Sequence, residues 1–204
     1  QSCVFKFSRI NLPQHIQERL ADEAYMLSQV RHANVPAYIT YQVVKKQGIL
    51  MMQRGKGIDL EQYSLKYGRL SARLVVDIAC QLADVLLFLR SYHKDGEIQP
   101  IVHGDIKPSN LVYDEQTGRV SLIDWGSSVF AQLDAQGQYL SNNVMQLMSA
   151  DLHSSNARMG DVYFIGAEQR SGALSSPRFD EQGVASTLYA LASGQSCRFG
   201  RKAI

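Results

Sequence analysis

Asp105, Lys107 and Asn110 lie within six residues of one another, and Asp124 follows two residues before Gly126. A carboxylate, an ammonium and an amide on one short loop, with a second carboxylate downstream, are the groups that phosphoryl transfer uses. One carboxylate orients the attacking hydroxyl and accepts its proton. A cation offsets the charge on the moving phosphoryl group. Two oxygen donors hold Mg²⁺, a hard ion that favours carboxylate, carbonyl and water oxygen. On this reading Asp105 takes the first role, Lys107 the second, and Asn110 with Asp124 the third.

The loop that carries these residues falls between a long helix and a short strand. The helix spans Ala72 to Tyr92, with Val75, Ile78, Leu82, Val85, Leu86 and Leu89 forming one apolar stripe. Ser71 is placed to cap its start, and Lys94-Asp95-Gly96 ends it. Two short strands, Leu111 to Tyr113 and Val120 to Ile123, flank the turn-rich loop Asp114 to Gly118. Upstream, Cys3 to Phe7 reads as a strand with Lys6 near its centre. A helical segment starting near Pro13 carries Ile16, Leu20, Tyr25, Leu27 and Val30. A hairpin follows: strands Ala37 to Val44 and Ile49 to Gln53 joined by the turn Lys45-Lys46-Gln47-Gly48, then a connector, Arg54 to Gly57. Phe179 to Ser193 reads as a second apolar helix. Ser127 to Gly160 is polar, without sustained period, and too long for a simple loop in a compact domain.

Together these residues resemble a family. His103-x-Asp105-x-x-x-x-Asn110 followed by Asp124-Trp125-Gly126 is similar to the catalytic and magnesium loops of protein kinases. Val4-Phe5-Lys6 resembles the family's lysine strand, and Asp22 to Leu27 with Arg31-His32-Ala33-Asn34-Val35 resembles the helix that supplies the lysine's glutamate partner, here Glu23. Gly166-Ala167-Glu168 looks like the family's Ala-Pro-Glu, and Asp180 with Ser186-Thr187-Leu188-Tyr189 like its central helix. The resemblance implies a bilobal α+β fold with a small β-rich N-lobe and a mainly helical C-lobe. Residues 1–53 would be the N-lobe, 54–58 the hinge and 59–204 the C-lobe, with a catalytic loop at 103–110 and an activation segment at 124–168. It implies ATP and Mg²⁺ as cofactors and a protein substrate. Lys6 and Glu23 would bind ATP, with Met52 beside the adenine, the backbone of Gln53 to Gly55 bonding it and Val112 beneath it. Lys107-Pro108-Ser109-Asn110 points to serine/threonine specificity.

The departures carry information too. No Gly-x-Gly-x-x-Gly occurs, and no helices follow the central one; the expectation is a truncated chain or an ATP site built differently. Gly104 stands where the family has the arginine that receives an activation-loop phosphate, which implies activity independent of that phosphate. Trp125 replaces phenylalanine, adding an N–H that needs a partner. Asp161 stands where the substrate-docking loop has threonine, so a third carboxylate either acts on Asp105 by like-charge repulsion or holds Lys107. Ala167 replaces proline, and Val4 replaces the small alanine over the adenine, which tightens the pocket.

Composition bounds the rest. Hydrophobic residues make up 45% and charged residues 20%, ordinary for a globular chain. With 21 basic and 19 acidic residues the net charge is +2, which gives no electrostatic case for a nucleic-acid or membrane partner. Cys3, Cys80 and Cys197 are odd in number and far apart, with Cys80 expected as a small core residue; the reading is a reducing compartment, the cytoplasm. No apolar run is long enough for a membrane span. Oligomeric state leaves no sign in the sequence. Two other functions compete. His103-Gly104-Asp105 with Ile123-Asp124-Trp125-Gly126 resembles small-molecule kinases of the aminoglycoside or choline type, against which Lys107 and the Gly166-to-Asp180 region argue. The missing glycine loop fits a nucleotide-binding pseudokinase, against which Lys6, Asp105, Asn110 and Asp124 argue.

Overall fold

The strand expected around Lys6 is β1, Cys3–Phe7, and it borders a three-stranded antiparallel sheet of order β1-β3-β2. The computed structural model describes residues 2–132, 161, 163–170 and 175–195. β2, Tyr38–Val44, and β3, Gln47–Gln53, form the expected hairpin. Its turn is tighter than the sequence suggested: Lys45 and Lys46 alone take positive φ, 49° and 69°, so Gln47 and Gly48 join the strand. Such paired positive φ values match the twist of flanking strands. The register sets Lys6 opposite Leu50 and Val4 opposite Met52, with Leu50 and Met52 buried.

The helical segment divides at Glu18 into α1, Gln14–Gln17, and α2, Arg19–Gln29. α2 buries Glu23, Ala24, Met26 and Leu27, while Tyr25 stands off that face. The chain then crosses residues 54–57 to β4, Ile58–Asp59. Gly57 has φ +107°, and a Cβ there would lie 1.9 Å from the Tyr113 carbonyl oxygen, so only glycine passes. α3, Leu60–Tyr67, was not legible from periodicity because it buries Leu60 alone; Asp59 caps it, accepting from Gln62 N–H at 2.8 Å.

α4, Ala72–Arg90, is the expected long helix. Ser71 accepts from Leu74 N–H, and Ile78, Leu82, Val85 and Leu89 are buried. Cys80 is exposed rather than in the core, because two positions past Ile78 is the opposite side of a helix. Nor is the segment after α4 a plain stop. β5, His93–Lys94, and β6, Glu97–Ile98, pair around Asp95 and Gly96, both at positive φ. β7, Ile101–Val102, leads to residues 103–110, then to β8, Leu111–Asp114, and β9, Arg119–Leu122, in a sheet of order β4-β8-β9. β10, Val129–Phe130, pairs with β7 from within the stretch read as aperiodic. α5, Ala167–Arg170, and α6, Arg178–Ser193, complete the described chain. Residues 133–160 of the expected activation segment, and Cys197, lie outside the described residues. The architecture is the expected α+β: a small sheet with its helix, then a mainly helical remainder. No helix among the described residues is long and apolar enough to cross a membrane.

Candidate active site

α6 is the pedestal of the 103–110 loop. Asp180, Gly183 and Thr187 recur at the spacing that puts them on one face. Asp180 Oδ2 accepts from His103 N–H at 2.7 Å and its Oδ1 from Gly104 N–H at 2.8 Å. Gly183 lets the helix approach so closely that an added Cβ would sit 3.1 Å from the Ile106 carbonyl oxygen. Thr187 Oγ1 donates to that same oxygen at 3.3 Å. Burial pushes the Asp180 carboxyl up to about 7, against the two N–H groups that favour its anion. Gly104 takes φ +80°, a conformation glycine adopts freely, and its carbonyl accepts from Gln169 Nε2 at 2.7 Å.

His103 is fully buried, edge-on to Trp125 with ring centroids 4.9 Å apart. Its Nδ1 accepts from Asp105 N–H at 3.3 Å, so the ring proton sits on Nε2 and is donated to the Ile123 carbonyl at 3.2 Å. Burial lowers its pKa to about 4, and the ring is neutral. It is a structural bridge between the loop and the residues that lead from β9 to Asp124. The Trp125 indole N–H finds its partner in the Leu122 carbonyl at 3.2 Å.

Every oxygen of the Asp105 carboxylate is placed. Oδ1 accepts from Asp161 N–H at 2.9 Å. Oδ2 accepts from Asn110 Nδ2 at 3.0 Å and lies 3.0 Å from Lys107 Nζ. Asn110 Nδ2 also donates to the Asp105 carbonyl at 2.8 Å, so both amide hydrogens are committed and the amide oxygen is left for another ligand. Lys107 Nζ is 3.8 Å from Asp161 Oδ2. Of the two outcomes open for Asp161, the geometry has it sharing Lys107 with Asp105.

Across the cleft, Lys6 Nζ donates to Glu23 Oε1 at 2.5 Å and to Asp124 Oδ1 at 2.9 Å. Burial alone would lower the Lys6 pKa, but the two carboxylates outweigh it and the net shift is upward. Burial pushes Glu23 up by more than Lys6 pulls it down. Burial would also raise Asp124, yet the Lys6 charge and hydrogen bond hold it below the usual carboxylate range. Asp124 adopts φ +62°, uncommon for a residue with a side chain and a mark of strain held at functional positions. A cleft of about 570 Å³ is lined by Val4, Lys6, Met52, Gln53, Gly55, Asn110, Val112 and Asp124. Its size suits a nucleotide. A carboxylate and an amide oxygen on one wall form an oxygen donor set that fits Mg²⁺. The structure thus brings together all ten residues singled out in the sequence; Glu23 stands behind Lys6, and Asp105 and Lys107 behind Asn110.

Other positioning residues escaped the sequence reading. Gln169 and Gly183 act only through contacts distant in sequence. Asn34 carries the loop after α2 onto the second half of the chain: its Nδ2 donates to Val120 O at 2.7 Å and Gln81 Oε1 at 2.8 Å, and its carbonyl accepts from Leu122 N–H at 2.8 Å. Asn34 was legible only as part of the stretch Arg31 to Val35, because its partners Gln81, Val120 and Leu122 are distant in sequence.

Comparison with known proteins agrees with this geometry. The family model described as protein kinase domain matches residues 2–195, and the chain belongs to that family. Among curated relatives, it is 28% identical over 187 residues to calcium/calmodulin-regulated receptor-like kinase 1 of Arabidopsis thaliana, covering 90% of this chain and 37% of the relative. It is 23% identical over 203 residues to serine/threonine-protein kinase PrkC of Bacillus subtilis (strain 168), covering 98% of this chain and 27% of the relative. Serine/threonine-protein kinase C of Synechocystis is 27% identical over 133 residues, or 62% of this chain and 24% of the relative. The chain therefore spans between 24% and 37% of the length of these relatives.

Proposed function

We propose that this protein kinase domain transfers the γ-phosphoryl group of ATP to a serine or threonine hydroxyl of a protein, working in the cytoplasm as its cysteine pattern suggests. One observation carries the reading: Lys6, held by Glu23 and Asp124, faces the same cleft as Asn110, whose amide is tied to Asp105. On this proposal residues 1–53 and 59–204 close on the nucleotide about a hinge at 54–58. Met52 and Val112 enclose the adenine and the backbone of Gln53 to Gly55 bonds it. Lys6 aligns the α- and β-phosphates. Asp124 and Asn110 Oδ1 would hold Mg²⁺, which when bound would supply positive charge against the phosphates. Asp105, fixed by the Asp161 N–H and Asn110, orients the acceptor hydroxyl and takes its proton, while Lys107 offsets charge on the moving phosphoryl group. The serine/threonine preference is supported by the Lys107-Pro108-Ser109-Asn110 sequence and by the names of two relatives.

The test uses radiolabelled ATP, Mg²⁺ and a generic protein acceptor with wild type and Asp124→Ala. Transfer should fall by at least about a hundred-fold in the variant. Equal labelling by both proteins refutes the mechanism. Label entering aminoglycosides or choline but not protein moves the activity to small molecules. A thermal shift with Mg·ATP and no transfer to any acceptor identifies a binding module.

A further inference from the structure

α2 presents two rows of side chains. Glu23 and Leu27, one turn apart, are buried towards the first sheet and Lys6. Tyr25 and Gln29, also one turn apart, face the second half of the chain. The Tyr25 ring meets Phe130 of β10 edge-on at 6.3 Å between centroids, and Phe130 stacks on Tyr92 at 6.1 Å. Tyr92 Oη donates to Gln29 Oε1 at 2.9 Å. Over this cluster the β5–β6 hairpin extends Lys94, whose ammonium lies 4.9 Å from the Phe130 ring centre and 5.7 Å from that of Tyr25.

We infer that the β5–β6 hairpin, through Lys94, braces α2 at the rotation in which Glu23 reaches Lys6, making Lys94, Tyr25 and Phe130 positioning residues for phosphoryl transfer. The inference rests on the proposed function for its catalytic consequence and on geometry alone for the brace. Turning α2 far enough to part Glu23 from Lys6 also carries Tyr25 out from under the ammonium and pulls Gln29 from Tyr92, because both rows belong to one rigid helix. Tyr25 is 47% exposed, so that row is held by the contacts of its ring with Lys94 and Phe130 and by the Tyr92–Gln29 hydrogen bond. The Asp95-Gly96 turn, with φ 53° and 88°, sets the two-residue reversal that carries Lys94. The charges near Lys94 are Glu97, its cross-strand partner, and Asp95 in the turn. The hydrogen bond with the Tyr25 hydroxyl raises the ammonium's pKa above its usual value. Phe130 belongs to the segment that follows Asp124. The hairpin therefore sets a cation on a ring of that segment, whereas position 104 of the loop, a glycine, offers none.

Hydrogen exchange of the α2 amides in the nucleotide-free full chain reads the brace directly, and steady-state kinetics read its consequence. Lys94→Met keeps the stem and removes the charge; Tyr25→Leu keeps apolar bulk and removes the ring. Each should speed α2 exchange by about two- to five-fold, the range of an exposed cation–π contact. Each should lower kcat by a similar factor with acceptor KM unchanged. The double variant should be no worse than either single one, and Lys94→Arg should restore wild-type exchange. Unchanged α2 exchange in Lys94→Met, or additive effects in the double variant, overturns the brace. Because exchange is read without ATP, a protein with no transferase activity sinks the proposed function while leaving the brace to be decided by exchange.

Discussion

Replacing Asp180 by Asn and replacing His103 by Asn should tilt the pH dependence of stability in opposite directions. His103 has its pKa lowered from 6.5 to about 4 by burial. A depressed base contributes stability that is complete above the unfolded value of 6.5 and lost as pH falls through the folded value near 4. The gap of about 2.5 units corresponds to about 3 kcal/mol. Asp180 is raised from 3.8 to about 7. Its contribution is complete below 3.8 and lost as pH rises towards 7, a gap of about 3 units or about 4 kcal/mol. Between pH 4 and 6.5 the two slopes are each about 1.4 kcal/mol per pH unit and opposite in sign, so they nearly cancel in the wild type. Asp180→Asn removes the falling slope, and stability relative to wild type should climb by about 3 kcal/mol across that window. His103→Asn removes the rising slope, and relative stability should drop by a like amount. Urea midpoints at half-unit pH steps, taken as differences from wild type, cancel the contribution of Glu23, which all three proteins share. Both variants carry a pH-independent cost from the hydrogen bonds they disturb, about 1–3 kcal/mol, which shifts the curves without tilting them. A difference between Asp180→Asn and wild type that stays constant over the window refutes the argument that burial keeps this carboxyl protonated.

Three simpler outcomes follow from local geometry. Gly104→Ala must hold a side chain at φ +80° and should lose about 1 kcal/mol, lowering Tm by about 2–4 °C; an unchanged Tm contradicts the glycine requirement. Gly57→Ala drives a Cβ into the Tyr113 carbonyl and should cost more than about 3 kcal/mol in denaturant melts while weakening nucleotide binding; a loss under about 1 kcal/mol means the connector relaxes freely. Cys80, being exposed, should react with an aromatic disulfide reagent in the native protein, and Cys80→Ser should remove one reacting thiol with a stability change within about 0.5 kcal/mol. Loss of no reacting thiol would return Cys80 to the interior.

The parts legible in the sequence were those whose cause is local or whose residue types are rare in combination. α4 announced itself because Ile78, Leu82, Val85 and Leu89 repeat on one face and Ser71 caps it. The same periodicity, applied one residue at a time, would have put Cys80 outside. That Lys6, Asn110 and Asp124 would meet at one cleft was legible because ordered motifs fix their spacing. The β5–β6 hairpin was hidden by its brevity: Asp95-Gly96 is a hairpin turn, but two residues on either side give no alternation to read. Gly104 was legible only as a missing arginine; its backbone angle, and the grip of Asp180 and Gln169 on its N–H and carbonyl, are tertiary facts. Gly183 is likewise a matter of how closely α6 approaches Ile106.

The pedestal has a consequence for what a substitution at Asp105 can disturb. Asp180, Gln169 and Thr187 grip the loop by its main chain, at the N–H groups of His103 and Gly104 and the carbonyls of Gly104 and Ile106. None of these contacts involves the side chain of Asp105 or Lys107. The loop's backbone path is therefore held separately from the side chains of Asp105 and Lys107. Loss of the Asp105 carboxylate would leave that main-chain grip intact while taking a partner from the Asp161 N–H, the Asn110 amide and Lys107. The cost of a substitution at Asp105 would therefore fall on these side-chain partners and not on the path of the loop.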